Sequence, residues 1–250
     1  MIRVGVTGAR GKMGAEVCRA VEAADGLELA ASIDPGSTDC YSSIGDLDPS
    51  TVDVIIDFTV LEASRVVLSW CAANGVHAVV GTTGFTDADI DGFERGFTSS
   101  NAVIAPNFAI GAVMMMRMSE MAAPYFQTAE VIEYHHNAKK DAPSGTALMT
   151  AQRIEAAKTA SNTSWDADPT ENEVVPGARG GKVGGVGVHG IRMHGMVAHQ
   201  EVVFGTTGET LTIRHDSLDR LSFMPGVVLA TRAVGDRPGL TLGLDSLLFD

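Results

Sequence analysis

Residues 1–14 read MIRVGVTGARGKMG. Ile2-Arg3-Val4-Gly5-Val6-Thr7 reads as a short strand, and Gly8-Ala9-Arg10-Gly11-Lys12-Met13-Gly14 follows it at once. Lys12 to Ala24 then suits a helix, with Met13, Val17, Ala20 and Val21 on one side and Gly26 past its end. Glycines at such a turn let the chain reverse tightly and let backbone approach a pyrophosphate. The helix start adds free N–H groups and a partial positive charge. The spacing is GxxGxxG, not the commoner GxGxxG, and many strand-to-helix turns favour glycine. Context makes it more specific. Leu27 to Ile33 reads as a second strand, and Asp34 ends it 20 residues after Gly14, where an acid holds the ribose hydroxyls of NAD. The plain alternative has Asp34 capping a turn with Pro35 and Gly36. Arg10 and Lys12 could reach a 2′-phosphate, which favours NADP, whereas Asp34 favours NAD. The expected cofactor is therefore NADH, NADPH or both.

Outward from this turn, strand and helix patterns alternate. Val52 to Phe58 is a nearly continuous apolar strand, as in a parallel sheet covered on both faces. Leu61 to Asn74 reads as a helix stopped by Gly75, Val76 to Val80 as a strand, Ala88 to Phe97 as a helix and Ala102 to Ala105 as a strand. This alternation predicts an α/β, Rossmann-like doubly wound parallel sheet. In such sheets ligands sit beyond the carboxyl ends of strands. That makes Gly81-Thr82-Thr83-Gly84 and Ala105-Pro106-Asn107-Phe108 candidate cofactor loops; otherwise they are simple connections.

After Phe108 the pattern changes. Ile110 to Ala123 suits a long helix, Glu130 to Tyr134 a strand and Thr146 to Lys158 a helix. Thr159 to Gly187, rich in Ser, Thr, Asp and Gly, reads as a long loop. Strand-like runs at Val188–Met193, Val197–Phe204 and Thr210–His215, joined by short turns, predict an antiparallel sheet, and a helix follows around Pro225 to Val234. The expected organisation is a dinucleotide-binding domain over 1–108 and about 217–250. About 109–216 would form an α+β domain, with a mainly antiparallel sheet, for substrate binding and oligomerisation.

The bulk composition narrows the function classes. The 250 residues are 45% hydrophobic and 20% charged, enough for a buried core, and the formal net charge is -13. That charge argues against nucleic-acid or anionic-membrane partners. No stretch has the roughly 18 apolar residues of a membrane span. Cys18, Cys40 and Cys71 are widely spaced and odd in number, which suits a reducing cytoplasm. An anionic ligand would need a local cluster of positive charge.

Such a cluster lies at residues 133–147, EYHHNAKKDAPSGTA. Ser144-Gly145-Thr146 stands where a helix begins, so free backbone N–H groups are flanked by Lys and His. A dicarboxylate could be held by Ser144, Gly145 and Thr146 at one end and by His136 and Lys139 at the other. A histidine or a lysine there could protonate a reacting carbon or nitrogen. The alternatives are a metal half-site at His135-His136 and a solvated turn at Lys139-Lys140. A metal is disfavoured: His189, His194 and His199 recur every five residues and do not converge on one face, and there is no HExxH or Cys cluster.

The order GxxGxxG, GTTGF at Gly81–Phe85, APNF at Ala105–Phe108 and HHxxKxDAPSGTA at His135–Ala147 resembles the dihydrodipicolinate reductase family over essentially the whole chain. The resemblance implies reduction of 4-hydroxy-tetrahydrodipicolinate to tetrahydrodipicolinate by NADH or NADPH, in diaminopimelate and lysine biosynthesis. It implies His135 as proton donor or acceptor, Lys139 as proton donor, and His136, Gly145 and Thr146 as contacts to substrate carboxylates. It implies cofactor contacts from Gly8, Ala9, Arg10, Gly11, Lys12, Met13, Asp34, Gly81, Thr82, Thr83, Ala105, Pro106, Asn107 and Phe108. A homotetramer built through the second domain's sheets, and closure of two domains over the ligands, are implied as well. One position departs from family members that carry Glu-Arg after the second strand. Here it is Asp34-Pro35, and proline cannot pair with a 2′-phosphate.

Overall fold

The structure, a computed structural model, describes residues 1–249. The chain forms two compact units: Met1–Ile110 together with the chain from Arg220 onward, and Gly111–Asp219.

The first unit is built on a six-stranded parallel sheet of β1 (Ile2–Thr7), β2 (Leu27–Ile33), β3 (Val54–Asp57), β4 (His77–Val80), β5 (Ala102–Ile104) and a later strand at Leu240–Leu242. Its order is Leu240–Leu242, β5, β4, β3, β1, β2, so the chain reverses its direction of travel at β1. Helices α1 (Gly14–Ala23), α2 (Leu61–Asn74) and α3 (Asp87–Gly96) connect the strands. Every residue of β3 is buried, which is why its sequence runs apolar without alternation. Leu68 and Cys71 of α2 pack with Ile55, Ala78 and Val80 of the sheet. Gly75 ends α2 at φ 70, a left-handed position that glycine adopts without a Cβ penalty. Thr86 and Asp89 cap α3 reciprocally.

Two elements of this unit escape the sequence reading: the strand at Leu240–Leu242, and a short helix at Asp245–Phe249. The strand is three residues long, too short to show a period. Its pairing with β5 completes the sheet edge.

The second unit carries α4 (Ile110–Ala122), β6 (Thr128–His135), α5 (Gly145–Ala160), β7 (Gly181–Val183), β8 (Val186–Arg192), β9 (Ala198–Thr206) and β10 (Glu209–Ser217). The first unit then resumes with α6 (Met224–Ala233), and its strand and helix at 240–249 become β11 and α7. The second sheet has the order β10-β9-β6-β8-β7. Its core is one layer of α4 and α5 side chains, Met115, Ala147, Ala151 and Ile154, against Val131, Val188, Val202 and Phe204 of the strands.

The expected, mainly antiparallel sheet is found with one parallel pair, and the loop expected before it is shorter than predicted. Pairing is mainly antiparallel, but β6 and β8 run parallel. The helix α5 and a long connection separate them, which gives the chain room for a crossover. The expected loop at Thr159–Gly187 also ends early. Val183 and Val186 flank Gly184-Gly185 in a β7–β8 hairpin, and Val186 is fully buried. The glycine-rich composition that looked like loop is the turn of that hairpin, with Gly184 at φ 58.

Candidate active site

In a parallel sheet the carboxyl ends of all strands lie along one edge. Register puts Thr7 beside Ile33 and Asp57, Asp57 beside Val80, and Val80 beside Ile104. The turn Gly8–Met13, Asp34, the Gly81–Thr83 loop and the Ala105–Phe108 loop all begin just past those residues.

The glycine turn is shaped as a backbone cradle. Gly8 sits at φ 67 and its carbonyl accepts from Gly11 N–H at 2.9 Å. A Cβ at Gly14 would run into the Gly8 carbonyl oxygen and lie 2.7 Å from its carbon. Only glycine lets α1 start so close to the turn, which sets the helix start against the backbone of Gly8. The residues therefore fit a nucleotide pyrophosphate. Beside the cradle is a cavity of about 230 Å³ bounded by Gly8, Ile33, Pro35, Ile44, Thr59 and Val67. Its apolar walls suit a flat heterocycle.

Asp34 does more than cap its own turn. Its carboxylate accepts from the backbone N–H of Gly36 at 3.0 Å and from that of Arg10 at 3.0 Å, which ties the end of β2 to the glycine turn. The Arg10 side chain turns instead to Asp39, which also accepts from the Ser37 hydroxyl. The Ser37 hydroxyl, against desolvation and with further help from a backbone N–H and Arg10, holds the Asp39 carboxyl below its usual range. Lys12 and Thr83 are exposed and Met13 is half-buried. Ala9, Ala105 and Phe108 are buried, so they offer backbone rather than side chain to this edge.

A residue missed in the sequence organises these loops. Asp57, fully buried at the end of β3, accepts from Thr7 Oγ1 at 2.5 Å, Thr59 Oγ1 at 2.7 Å and Thr82 Oγ1 at 3.1 Å. Its own carbonyl accepts from Gly81 N–H at 2.9 Å. The signal was present: an acid closing an apolar strand has to find donors. Phe58 and Phe108 pack with ring centroids 5.4 Å apart and planes tilted by 57°, and a Cβ at Gly81 would enter the Phe58 ring. Asn107 Oδ1 accepts from Ala109 N–H at 2.9 Å and shapes the loop after β5.

In the second unit, Glu133 and His135 lie two residues apart on β6, hence on one face. Glu133 is 0% exposed. Arg192, paired in register with His135 at the end of β8, donates Nη1–H to Glu133 Oε2 at 2.8 Å and Nη2–H to Oε1 at 2.7 Å. Ser144 N–H donates to Oε1 at 3.2 Å, and His135 Nδ1 bonds Oε2. Burial alone would push the Glu133 carboxyl up, but Arg192 and His135 outweigh it and hold it below its usual value. Burial lowers the proton affinity of His135; Glu133 opposes that, and the charges of Lys139 and Arg192 add to it. Neither Glu133 nor Arg192 was singled out in the sequence. Glu133 looked like part of a strand and Arg192 is 59 residues away.

Ser144 caps α5, its hydroxyl accepting from Ala147 N–H at 3.2 Å. Gly145 and Thr146 form the first turn after it, and a Cβ at Gly145 would meet nothing within 4 Å, so the helix start is open there. Lys139 Nζ donates to both oxygens of exposed Asp141, at 2.8 and 2.9 Å. His136 is exposed, and its carbonyl accepts from Lys139 N–H at 3.1 Å, which forms the turn that brings the lysine back. One buried carboxylate thus joins His135 to the residue that caps the open start of α5. His189 goes to Glu130 and His199 to Asp216, each at 2.7 Å, so these two histidines serve separate carboxylates.

Family profiles match both units: residues 2–108 to the one described as dihydrodipicolinate reductase, N-terminus, and 111–248 to the corresponding C-terminus. A 4-hydroxy-tetrahydrodipicolinate reductase of Nocardia farcinica is 51% identical over 251 residues, covering 99% of this chain and 98% of its own. That of Mycobacterium sp. strain KMS is 52% identical over 250 residues, with 99% of each chain covered. A dihydrodipicolinate reductase from Paenisporosarcina sp. TG-14, solved with dipicolinate bound, superposes with a TM-score of 0.90 at 37% identity, covering 99% of this chain and 100% of that one. A probable dehydrogenase from Thermotoga maritima, at TM-score 0.64 and 11% identity, shares the fold alone.

Proposed function

The chain belongs to the dihydrodipicolinate reductase family, and from that premise we propose how its residues divide the work of reducing 4-hydroxy-tetrahydrodipicolinate to tetrahydrodipicolinate. The protein is a nicotinamide-dependent oxidoreductase of diaminopimelate and lysine biosynthesis. The reaction adds one hydride and one proton to the substrate, and the hydroxyl leaves as water. The nicotinamide, when bound, supplies the hydride.

The backbone from Gly8 to Met13 holds the cofactor's pyrophosphate at the start of α1, and Asp34 takes the ribose hydroxyls. The Gly81–Thr83 and Ala105–Phe108 loops line the nicotinamide end. Both NADH and NADPH are accepted. Pro35 offers no charge to a 2′-phosphate, and Arg10 is engaged by Asp39, so NADH is favoured.

The substrate is a small dicarboxylate. One carboxylate is bound by Ser144, Gly145 and Thr146 at the open start of α5, the other by His136. The proton comes from the His135–Lys139 loop. Lys139, paired only with exposed Asp141 among the contacts described, exchanges one carboxylate for another when substrate arrives. The working assembly is a homotetramer in the cytoplasm, joined through the second unit's sheet.

The observation that carries this reading is the Glu133 carboxylate, which links the proton-carrying His135 to the Ser144 cap of the anion site. The test is a coupled assay. The unstable substrate is made in place from pyruvate and aspartate semialdehyde by its synthase, and loss of NADH and of NADPH is followed separately on adding this protein. Oxidation that needs every component is expected. Dinucleotide binding without oxidation would leave a sensor of redox state instead.

A further inference from the structure

Glu133 has no spare capacity. An ionised carboxylate offers about four acceptor positions. Here Oε1 takes Arg192 Nη2–H and Ser144 N–H, while Oε2 takes Arg192 Nη1–H and meets His135 Nδ1. A carboxylate held ionised by this set of donors can only accept, so the proton of that last bond belongs to His135 Nδ1. His135 Nε2 is then the nitrogen left free to hold or release a proton.

The surroundings are built for this carboxylate. Gly190 on β8 is the register partner of Glu133, and a Cβ there would lie 3.1 Å from Oε1. A buried Glu–Arg pair adds little stability over apolar residues of the same volume, because desolvating two charges offsets their attraction. Its presence at this point asks for another reason.

We propose that Glu133 is a positioning residue for the reaction: it fixes the tautomer and direction of His135, presenting Nε2 to substrate, with Arg192 as counter-charge. Through Ser144 N–H the same carboxylate sets the start of α5, so the proton carrier and the carboxylate cradle are aligned by one group. The inference rests on the reading of His135 as a proton carrier. The charged groups facing His135 are Glu133 from its own strand, Arg192 from β8 and Lys139 from the following loop.

The experiment is ¹⁵N NMR of the histidine rings in the full-length protein, with His135→Gln used to assign the signal. Neutral His135 should carry its proton on Nδ1. In Glu133→Gln the titration midpoint of His135 should fall by about one unit, the size of losing a close opposite charge. The pH profile of kcat should move with it, kcat should drop about 10- to 100-fold, as for other lost partners of functional histidines, and NADH affinity should stay within about twofold. If that variant folds poorly with Arg192 left unpaired, Glu133→Gln/Arg192→Gln removes both charges, and a mixture of the two tautomers is expected. A wild-type His135 protonated on Nε2, or an unchanged midpoint and tautomer in the variants, overturns the inference. Full turnover by His135→Gln would instead remove His135 from the proton path while leaving the tautomer result to stand or fall alone.

Discussion

The single hydroxyl proton of Thr82 is shared between Asp57 Oδ2 at 3.1 Å and the Thr59 carbonyl at 3.2 Å, so the loop after β4 is moored to the end of β3. With Thr7 and Thr59 on the other oxygen, Asp57 is the common acceptor for three chain segments at the carboxyl edge of the sheet. Asp57→Ala removes the carboxylate and leaves Thr7 and Thr82, both buried, only the longer bonds to the Ile56 and Thr59 carbonyls, at 3.3 and 3.2 Å. Leaving one such buried group unsatisfied costs roughly 1–3 kcal/mol. Urea unfolding should show a loss of about that size, because the remaining carbonyl acceptors are more distant, and NADH titration by fluorescence a weaker Kd. Intact stability with weakened binding would mean that the hydroxyls find water and only the loop position matters.

Asp39 occupies the Arg10 guanidinium that a 2′-phosphate would use. Both side chains are mostly exposed, so the competition is screened and modest. Asp39→Asn should improve NADPH affinity over NADH by up to about fivefold. Arg10→Ala should weaken NADPH and leave NADH nearly unchanged. Calorimetric titration of each cofactor gives the ratio directly; an equal change for both would show that Asp39 acts on the loop and not on the phosphate.

Lys139 closes the turn after β6, with its ammonium on exposed Asp141. Removing it should disturb chemistry more than folding. Lys139→Ala is expected to lower kcat by about 10²- to 10⁴-fold, the usual scale for losing a general acid. The NADH Kd should be nearly intact, because the turn proposed to hold the dinucleotide is in the other unit. Equal losses in turnover and cofactor affinity would remove Lys139 from proton transfer.

The parallel sheet was legible because its signals are local. An all-buried strand such as β3 has no alternation, and glycine punctuates the ends of α1 and α2 at Gly26 and Gly75. The placement of the glycine turn and of Ser144 at a helix start follows from the same local rules. The groups that escaped are those whose meaning is non-local. Asp57 is legible only once Thr7, Thr59 and Thr82 converge on it, and Glu133 only once β8 brings Arg192 alongside. The parallel β6–β8 pairing escaped for the same reason, since a crossover is a property of the path between strands. β11 was too short to carry a pattern at all.

His135 and His215 both bind protons less readily in the folded chain than in the unfolded one, chiefly through burial. His215 is packed so closely on α4 that a Cβ at Gly111 would lie 2.6 Å from its Cδ2. Between the unfolded histidine pKa of about 6.5 and the lower folded values, the unfolded state holds more protons. Stability should therefore be full above about pH 7 and fall as pH drops through 6.5 towards 5. Glu133, held below its usual value, extends the loss to lower pH, because its contribution is present above the unfolded carboxyl pKa of about 4.3 and disappears as it protonates. Urea midpoints measured from pH 8 to 4 check this. Replacing His215 by Gln should flatten the slope between pH 7 and 5 while leaving the loss below pH 4.5 in place. A slope unchanged by that substitution would assign the histidine-range loss to His135 alone.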